Sequence, residues 1–213
     1  VPNQVGTVAM AVYSAGLLNA TSVKVGFMNT EYDMAVDILL ASKQALSGTE
    51  TKLIGSLFAD NDLYDGLDPN KMVDLAKDGG CDGFLIDTLI KDGRNLFDFM
   101  SEEILTDIIY QGKSMGISTA LSGHLRLDNL DELARINPDI VGVRGAVCSK
   151  GERDNSVYWE AVAKFRKELN LRESGEIAVR ELNSSDNGVN GDGWVVIDGT
   201  DKSCASIILE LSE

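Results

Sequence analysis

The sequence predicts an α/β fold of the TIM (β/α)8-barrel type, partial in that about five of the eight βα units are present, with a short C-terminal extension. Three observations carry this expectation. Apolar runs of strand length alternate with amphipathic stretches between residues 7 and 169, the pattern of βαβ units and a parallel sheet. Successive runs recur at roughly the 30-residue spacing of a β-loop-α-loop unit. Each run also ends near Gly, Asp or Ser, which suits a rim where loops turn sharply and carry function.

A helical period over residues 7–18 precedes the first strand, 22–28 (SVKVGFM). The spacing of apolar residues then predicts a helix over 32–46 and a strand over 52–59 (KLIGSLFA). Pro69 fits the first turn of a helix over 69–78, and Gly79-Gly80 fits its stop. Residues 83–87 (GFLID) read as the third strand, 97–115 as a helix and 117–122 (ISTALS) as the fourth strand. The helix over 128–136 should end at Asn137-Pro138, because a residue before proline resists the helical conformation. A fifth strand at 139–143 and a helix at 157–169 complete the series. Residues 1–172 are therefore expected to form the barrel domain. Residues 173–193, rich in Gly, Asn and Ser, read as a polar linker or mobile extension. Residues 194–213 read as a short element, a strand at 194–198 and a helix at 204–211, too small to fold alone.

The 213 residues are 44% apolar, enough for a real core, and carry a net charge of -15. Such acidity argues against a nucleic-acid or anionic-membrane surface, so any phosphate must be held by local groups. No window approaches the roughly 18 apolar residues of a membrane span, and the N-terminus shows no signal-peptide pattern, so a cytoplasmic location is expected. The chain starts at Val1 rather than Met, which leads us to expect a processed or truncated sequence. Three scattered cysteines, Cys81, Cys148 and Cys204, exclude a disulfide framework and read as buried thiols. His124 is the only histidine, so a multi-histidine metal centre is impossible; no metal and no cofactor are expected.

Four places could carry chemistry. Lys24 lies inside an apolar strand, either as an edge lysine snorkelling to solvent or as a base or imine former aimed into a barrel mouth. Asp87 ends the third strand and Lys91 follows four residues later. The pair reads either as an exposed salt bridge or as an acid and a cation sharing proton transfer. Ser122-Gly123-His124 and Gly142-Val143-Arg144-Gly145 follow the last two strands. They are either tight connections or glycine turns that bring backbone N–H groups and Arg144 to an anion, since the last two loops of a barrel are its usual phosphate site. Lys150 and Arg153, in a charged loop, lie where they could reach the same phosphate.

The segments Gly80-Cys81-Asp82, Leu85-Ile86-Asp87-Thr88, Lys91-Asp92-Gly93 and Leu96-Phe97-Asp98-Phe99, with Lys24-Val25-Gly26, Ala120-Leu121-Ser122-Gly123 and the run from Asp139 to Cys148, closely resemble the (5-formylfuran-3-yl)methyl phosphate synthase family. That family is also called 4-(hydroxymethyl)-2-furancarboxaldehyde phosphate synthase. The resemblance spans residues 6–170. It implies a TIM-barrel lyase of the class I aldolase type that condenses two molecules of glyceraldehyde 3-phosphate through a Schiff base, for methanofuran or methylofuran synthesis. It also implies that Lys24 matches a proton-accepting lysine, that Asp87 and Lys91 match an acid and a lysine in proton shuttling, and that Ser122, Gly123, Gly142, Arg144 and Gly145 fall where phosphate is held. His124 matches no family role. The family's imine-forming lysine lies in a DVKNPxEGxLG segment that this sequence does not contain, so three strands and that lysine are expected to be missing and the chain alone to be catalytically impaired. The alternatives are another phosphate-binding class I aldolase or isomerase, and a non-catalytic barrel remnant. Open sheet edges would favour association into homo-oligomers. Residues 198–204 are similar to the start of small sulfur-carrier domains.

Overall fold

The computed structural model describes residues 3–151 and 153–180. Five strands, β1 (Ser22–Gly26), β2 (Lys52–Phe58), β3 (Gly83–Asp87), β4 (Ser118–Leu121) and β5 (Ile140–Val141), form one parallel sheet in chain order. Six helices separate and flank them: α1 (Val5–Leu17), α2 (Tyr32–Ala45), α3 (Met72–Asp78), α4 (Glu102–Ser114), α5 (Leu130–Ile136) and α6 (Trp159–Glu173). The expected α/β class is borne out, and a run of five βα units of a barrel fits this sheet.

Side chains alternate across a strand, so each strand divides its residues between two environments. One set, including Val25, Leu53, Leu57, Phe84, Ile86 and Leu121, is at most 6% exposed and joins Ile38, Leu39, Leu75, Leu105, Ile109 and Leu133 of the helices in a single core. Each such burial contributes roughly 1.5–3 kcal/mol. Helix α4 rides directly on β3, because a Cβ on Gly112 would stand 2.5 Å from the Phe84 ring. Lys24, Ile54, Leu85, Ala120 and Ser122 instead line a concavity of about 780 Å3 on the other side of the sheet. The register sets Lys24 beside Ile54 and Leu85 beside Ala120.

The helix expected over 97–115 is broken. Asn95 accepts the Phe97 N–H at 2.8 Å while Asp98 accepts the Asn95 N–H at 2.6 Å, closing a 3-10 turn over Leu96–Asp98. Ser101 then caps α4 afresh by accepting the Ile104 N–H. The segment 69–78 likewise opens as a 3-10 turn, with Asp68 accepting the Asn70 N–H at 2.9 Å. Asn137 ends α5 in the left-handed conformation, φ +53°. The last helix begins two residues later than expected and runs to Glu173.

Beyond α6 the backbone returns to α5, where Arg172 and Arg180 reach the two oxygens of Asp131 at 2.6 and 2.8 Å. Of the expected linker over 173–193, Glu173 ends α6 and Arg180 is bonded to α5, while 181–193, the strand at 194–198, the helix at 204–211 and Cys204 lie outside the described residues. Cys81 and Cys148 are buried free thiols, and burial pushes the Cys81 thiol up to about 12. Among the described residues no helix is long and apolar enough to cross a membrane.

Candidate active site

The site grows from the C-terminal ends of the strands. Asp87 closes β3 with its side chain 17% exposed, and its Oδ1 accepts the Thr88 N–H at 2.8 Å. Lys24 projects from β1 to bring its Nζ within 3.8 Å of Asp87 Oδ2. From the loop after β3, Lys91 curls back until its Nζ lies 3.4 Å from Asp87 Oδ1. Lys91 also donates to the Thr88 carbonyl and, at 3.2 Å, to Thr88 Oγ1. One carboxylate thus stands between two ammonium groups that are only partly exposed, an arrangement able to pass protons among three centres. The two readings of Lys24 meet here, because its Nζ faces Asp87 while its side chain remains 45% exposed.

The loops after β4 and β5 build a second feature against this group. Asp87, Lys91, Ser122, Gly142, Arg144 and Gly145 line a cavity of about 260 Å3, together with His124, Val143 and Arg153. Lys24 lines the adjoining concavity, which shares Ser122 and Gly142 with the smaller cavity. Gly123 shapes the wall from behind: its φ is +120°, and a Cβ there would stand 2.9 Å from Thr88 Cγ2. Gly142 supplies room rather than a donor. Its N–H is spent on the Leu121 carbonyl at 2.8 Å, and a Cβ there would meet that of Ser122 at 3.0 Å.

Among the described residues, the cationic side chains lining the cavity are Lys91, Arg144 and Arg153, against one carboxylate, Asp87. Arg144 is aimed by its Nε donating to the Arg153 carbonyl at 2.8 Å, which leaves its terminal nitrogens for a ligand. A chain of net charge -15 therefore presents a local positive cluster. Screening over about 8 Å at physiological ionic strength lets the near cations decide what binds there. Bidentate, charge-assisted contacts from arginine are matched to phosphate oxygens.

Sequence reasoning gave His124 no role, yet it borders this cavity. Its imidazole is held below its ordinary value, first by burial and then by the charges of Arg126, Lys91 and Arg153. Its Nε2 accepts from Arg126 Nε at 3.1 Å, so a neutral ring keeps its proton on Nδ1. Asp60 was passed over as well. It is 1% exposed, and its two oxygens accept the N–H groups of Leu89 and Ile90 at 2.8 and 2.7 Å. Its only signal in the sequence is an acid directly after the apolar run of β2. Lys150, by contrast, does not line the cavity.

Comparison with known proteins follows the same lines. The family model described as 4-HFC-P synthase matches residues 1–166. A (5-formylfuran-3-yl)methyl phosphate synthase from Methanococcus maripaludis is 38% identical over 157 residues, 72% of this chain and 66% of the relative. The protein of that name from Methanobrevibacter smithii is 35% identical over 171 residues, covering 78% and 72%. The one from Methanocaldococcus jannaschii is 34% identical over 172 residues, covering 79% and 73%. The chain thus spans about two thirds of the length of the Methanococcus maripaludis relative and somewhat more of the other two. Among solved structures, the DHDPS from Cyanidioschyzon merolae with lysine bound superposes with a TM-score of 0.52 at 12% identity, covering 79% of this chain and 55% of that one. That likeness concerns the fold alone. The family match runs through every strand end that builds the site, and on it this chain belongs to the 4-HFC-P synthase family.

Proposed function

We propose that the chain carries the proton-transfer and phosphate-holding face of a (5-formylfuran-3-yl)methyl phosphate synthase, a lyase of the class I aldolase type serving methanofuran or methylofuran synthesis. The supporting observation is that Lys24 and Lys91 converge on Asp87, at 3.8 and 3.4 Å, beside a cavity lined by Arg144 and Arg153. Two molecules of glyceraldehyde 3-phosphate hold two phosphates and the furan product holds one. Joining them must expel one inorganic phosphate and two waters besides forming the new carbon–carbon bond. Every expulsion needs a proton delivered to the departing oxygen, and enamine formation needs a proton removed from carbon. In this reading Lys24 takes the carbon-bound proton, and Asp87 with Lys91 relays protons to the departing oxygens. Arg144, Arg153 and the glycine loops hold a phosphate. The imine that acts as electron sink belongs to the lysine of the family's DVKNPxEGxLG segment, which these 213 residues do not contain.

Borohydride trapping with glyceraldehyde 3-phosphate, read by peptide mass spectrometry, tests this on the chain alone and on a form joined to that segment. The expected result is labelling confined to the added lysine, with furan aldehyde formed by the joined form only. Labelling of Lys24 or Lys91 in the 213 residues would move the imine to them. No labelling in either form would overturn the Schiff-base reading.

A further inference from the structure

Asp60 has no contact with the candidate cavity, yet it is the most heavily buried carboxylate among the described residues, 1% exposed. A buried carboxylate is costly unless its oxygens are satisfied. Here each oxygen is met by a backbone donor from one short loop, Leu89 N–H at 2.8 Å on Oδ1 and Ile90 N–H at 2.7 Å on Oδ2. These are charge-assisted bonds of the stronger kind. The loop they hold is the one that carries Lys91. Between Asp87, fixed by β3, and Lys91 lie Thr88, Leu89 and Ile90, and the last two are the residues Asp60 grips. Thr88 is pinned from the other side by its N–H bond to Asp87 at 2.8 Å and by the close approach of Gly123. Lys91 therefore returns to Asp87 because the intervening turn is clamped at every amide.

We infer that Asp60 is a positioning residue for the proposed reaction, holding the turn at Leu89 and Ile90 so that the Lys91 ammonium meets Asp87. The inference rests on the proposed role of Lys91 beside Asp87. Asparagine at this place keeps one acceptor but turns an NH2 donor toward a backbone N–H, leaving that N–H without a partner. The turn then opens and Lys91 loses its contacts with Thr88 and Asp87.

Acetylation of lysines, timed by mass spectrometry on the folded chain, reads this placement without any need for turnover. Lys43, paired with Asp82 at 2.7 Å at a distant place, is the internal control. In Asp60→Asn the rate at Lys91 is expected to rise several-fold while that at Lys43 stays constant, and Asp87→Asn should also release Lys91. An unchanged Lys91 rate, or an equal rise at Lys43, would overturn the inference, the latter because it reports general loosening. Asp60→Glu, which keeps the charge but displaces the carboxylate, serves if the asparagine variant does not fold, with the same outcomes. Furan formation by the joined form then separates the two levels. If Asp60 acts through Lys91, Asp60→Asn lowers kcat more than it raises KM, and adding it to Lys91→Met causes no further loss. An additive loss would overturn the positioning role. Full activity in Lys91→Met would instead overturn the proposed function of Lys91, whatever the acetylation rates.

Discussion

The glycine behind the cavity wall offers the sharpest test of the site's construction. Gly123 has φ +120°, a conformation that residues with a Cβ rarely adopt, and its missing Cβ would stand 2.9 Å from Thr88 Cγ2 and 3.2 Å from the Thr88 nitrogen. Gly123→Ala therefore meets two penalties, backbone strain of about 1–3 kcal/mol and overpacking of about 1–3 kcal/mol. Together they come to about 2–6 kcal/mol, within the roughly 5–15 kcal/mol by which domains are stable, so the variant should fold but melt lower. At about 2–4 °C per kcal/mol for a chain of this size, Tm should fall by roughly 4–24 °C. Gly93 isolates the two terms, because it has a similar φ of +102° with nothing within 4 Å of its absent Cβ. Gly93→Ala should show the strain alone, about 1–3 kcal/mol. Thermal and urea melts of both variants decide the matter. If Gly123→Ala loses no more stability than Gly93→Ala, the loop after β4 does not press on Thr88. The clamped turn that returns Lys91 to Asp87 would then need another support.

Three further outcomes are expected. Asp87→Asn should lower furan formation by the joined form by about 100-fold or more, yet move stability by less than about 1 kcal/mol, because its ion pairs with Lys24 and Lys91 are long and partly exposed; near-normal product formation would refute the relay. Arg144→Ala and Arg153→Ala should each weaken binding of inorganic phosphate by roughly 10-fold or more, the range of a charge-assisted bond. Calorimetry checks this, and unchanged affinity in both would remove the phosphate assignment. Asp131 is held below its ordinary value of 3.8: burial alone would raise it, but the bonds from Arg172 and Arg180 outweigh that. A depressed carboxylate contributes stability that is present above its unfolded value and is lost as pH falls through the folded one. Urea midpoints should therefore drop in acid below about pH 4, and Asp131→Asn should be less stable at pH 7 while losing less on acidification. A parallel fall in variant and parent would refute the linkage.

Strands β2, β3 and β4 were legible because each buries part of a local apolar run, and the candidate site residues were legible because the C-terminal end of a strand in a parallel sheet faces its functional rim. Asp87, Ser122 and Gly142 could be placed in this way before any geometry was known. The helix break was harder to read, since Ser101 acts as a cap only once its backbone partner stands in place, and the helical period read over 97–115 runs through it undisturbed. Asp60 was not legible at all. An aspartate after an apolar strand looks like any polar loop residue, and what distinguishes it is a pair of amide donors 29 and 30 residues away.

That contrast separates two kinds of candidate residue. Asp87 and Lys91 are four apart in sequence and share chemistry that a short motif can record. The support that makes their spacing useful comes from the end of the neighbouring strand, where β2 pairs with β3 and sets Phe58 beside Asp87. Asp60, two residues past that pair, inherits its position from the register and not from the motif. A slip of β2 by one residue would turn every one of its side chains to the opposite face, taking Ile54 out of the concavity and shifting Asp60 from the amides of Leu89 and Ile90. The core residues of β2, Leu53 and Leu57, thus help fix the register that sets Asp60 against the amides of Leu89 and Ile90.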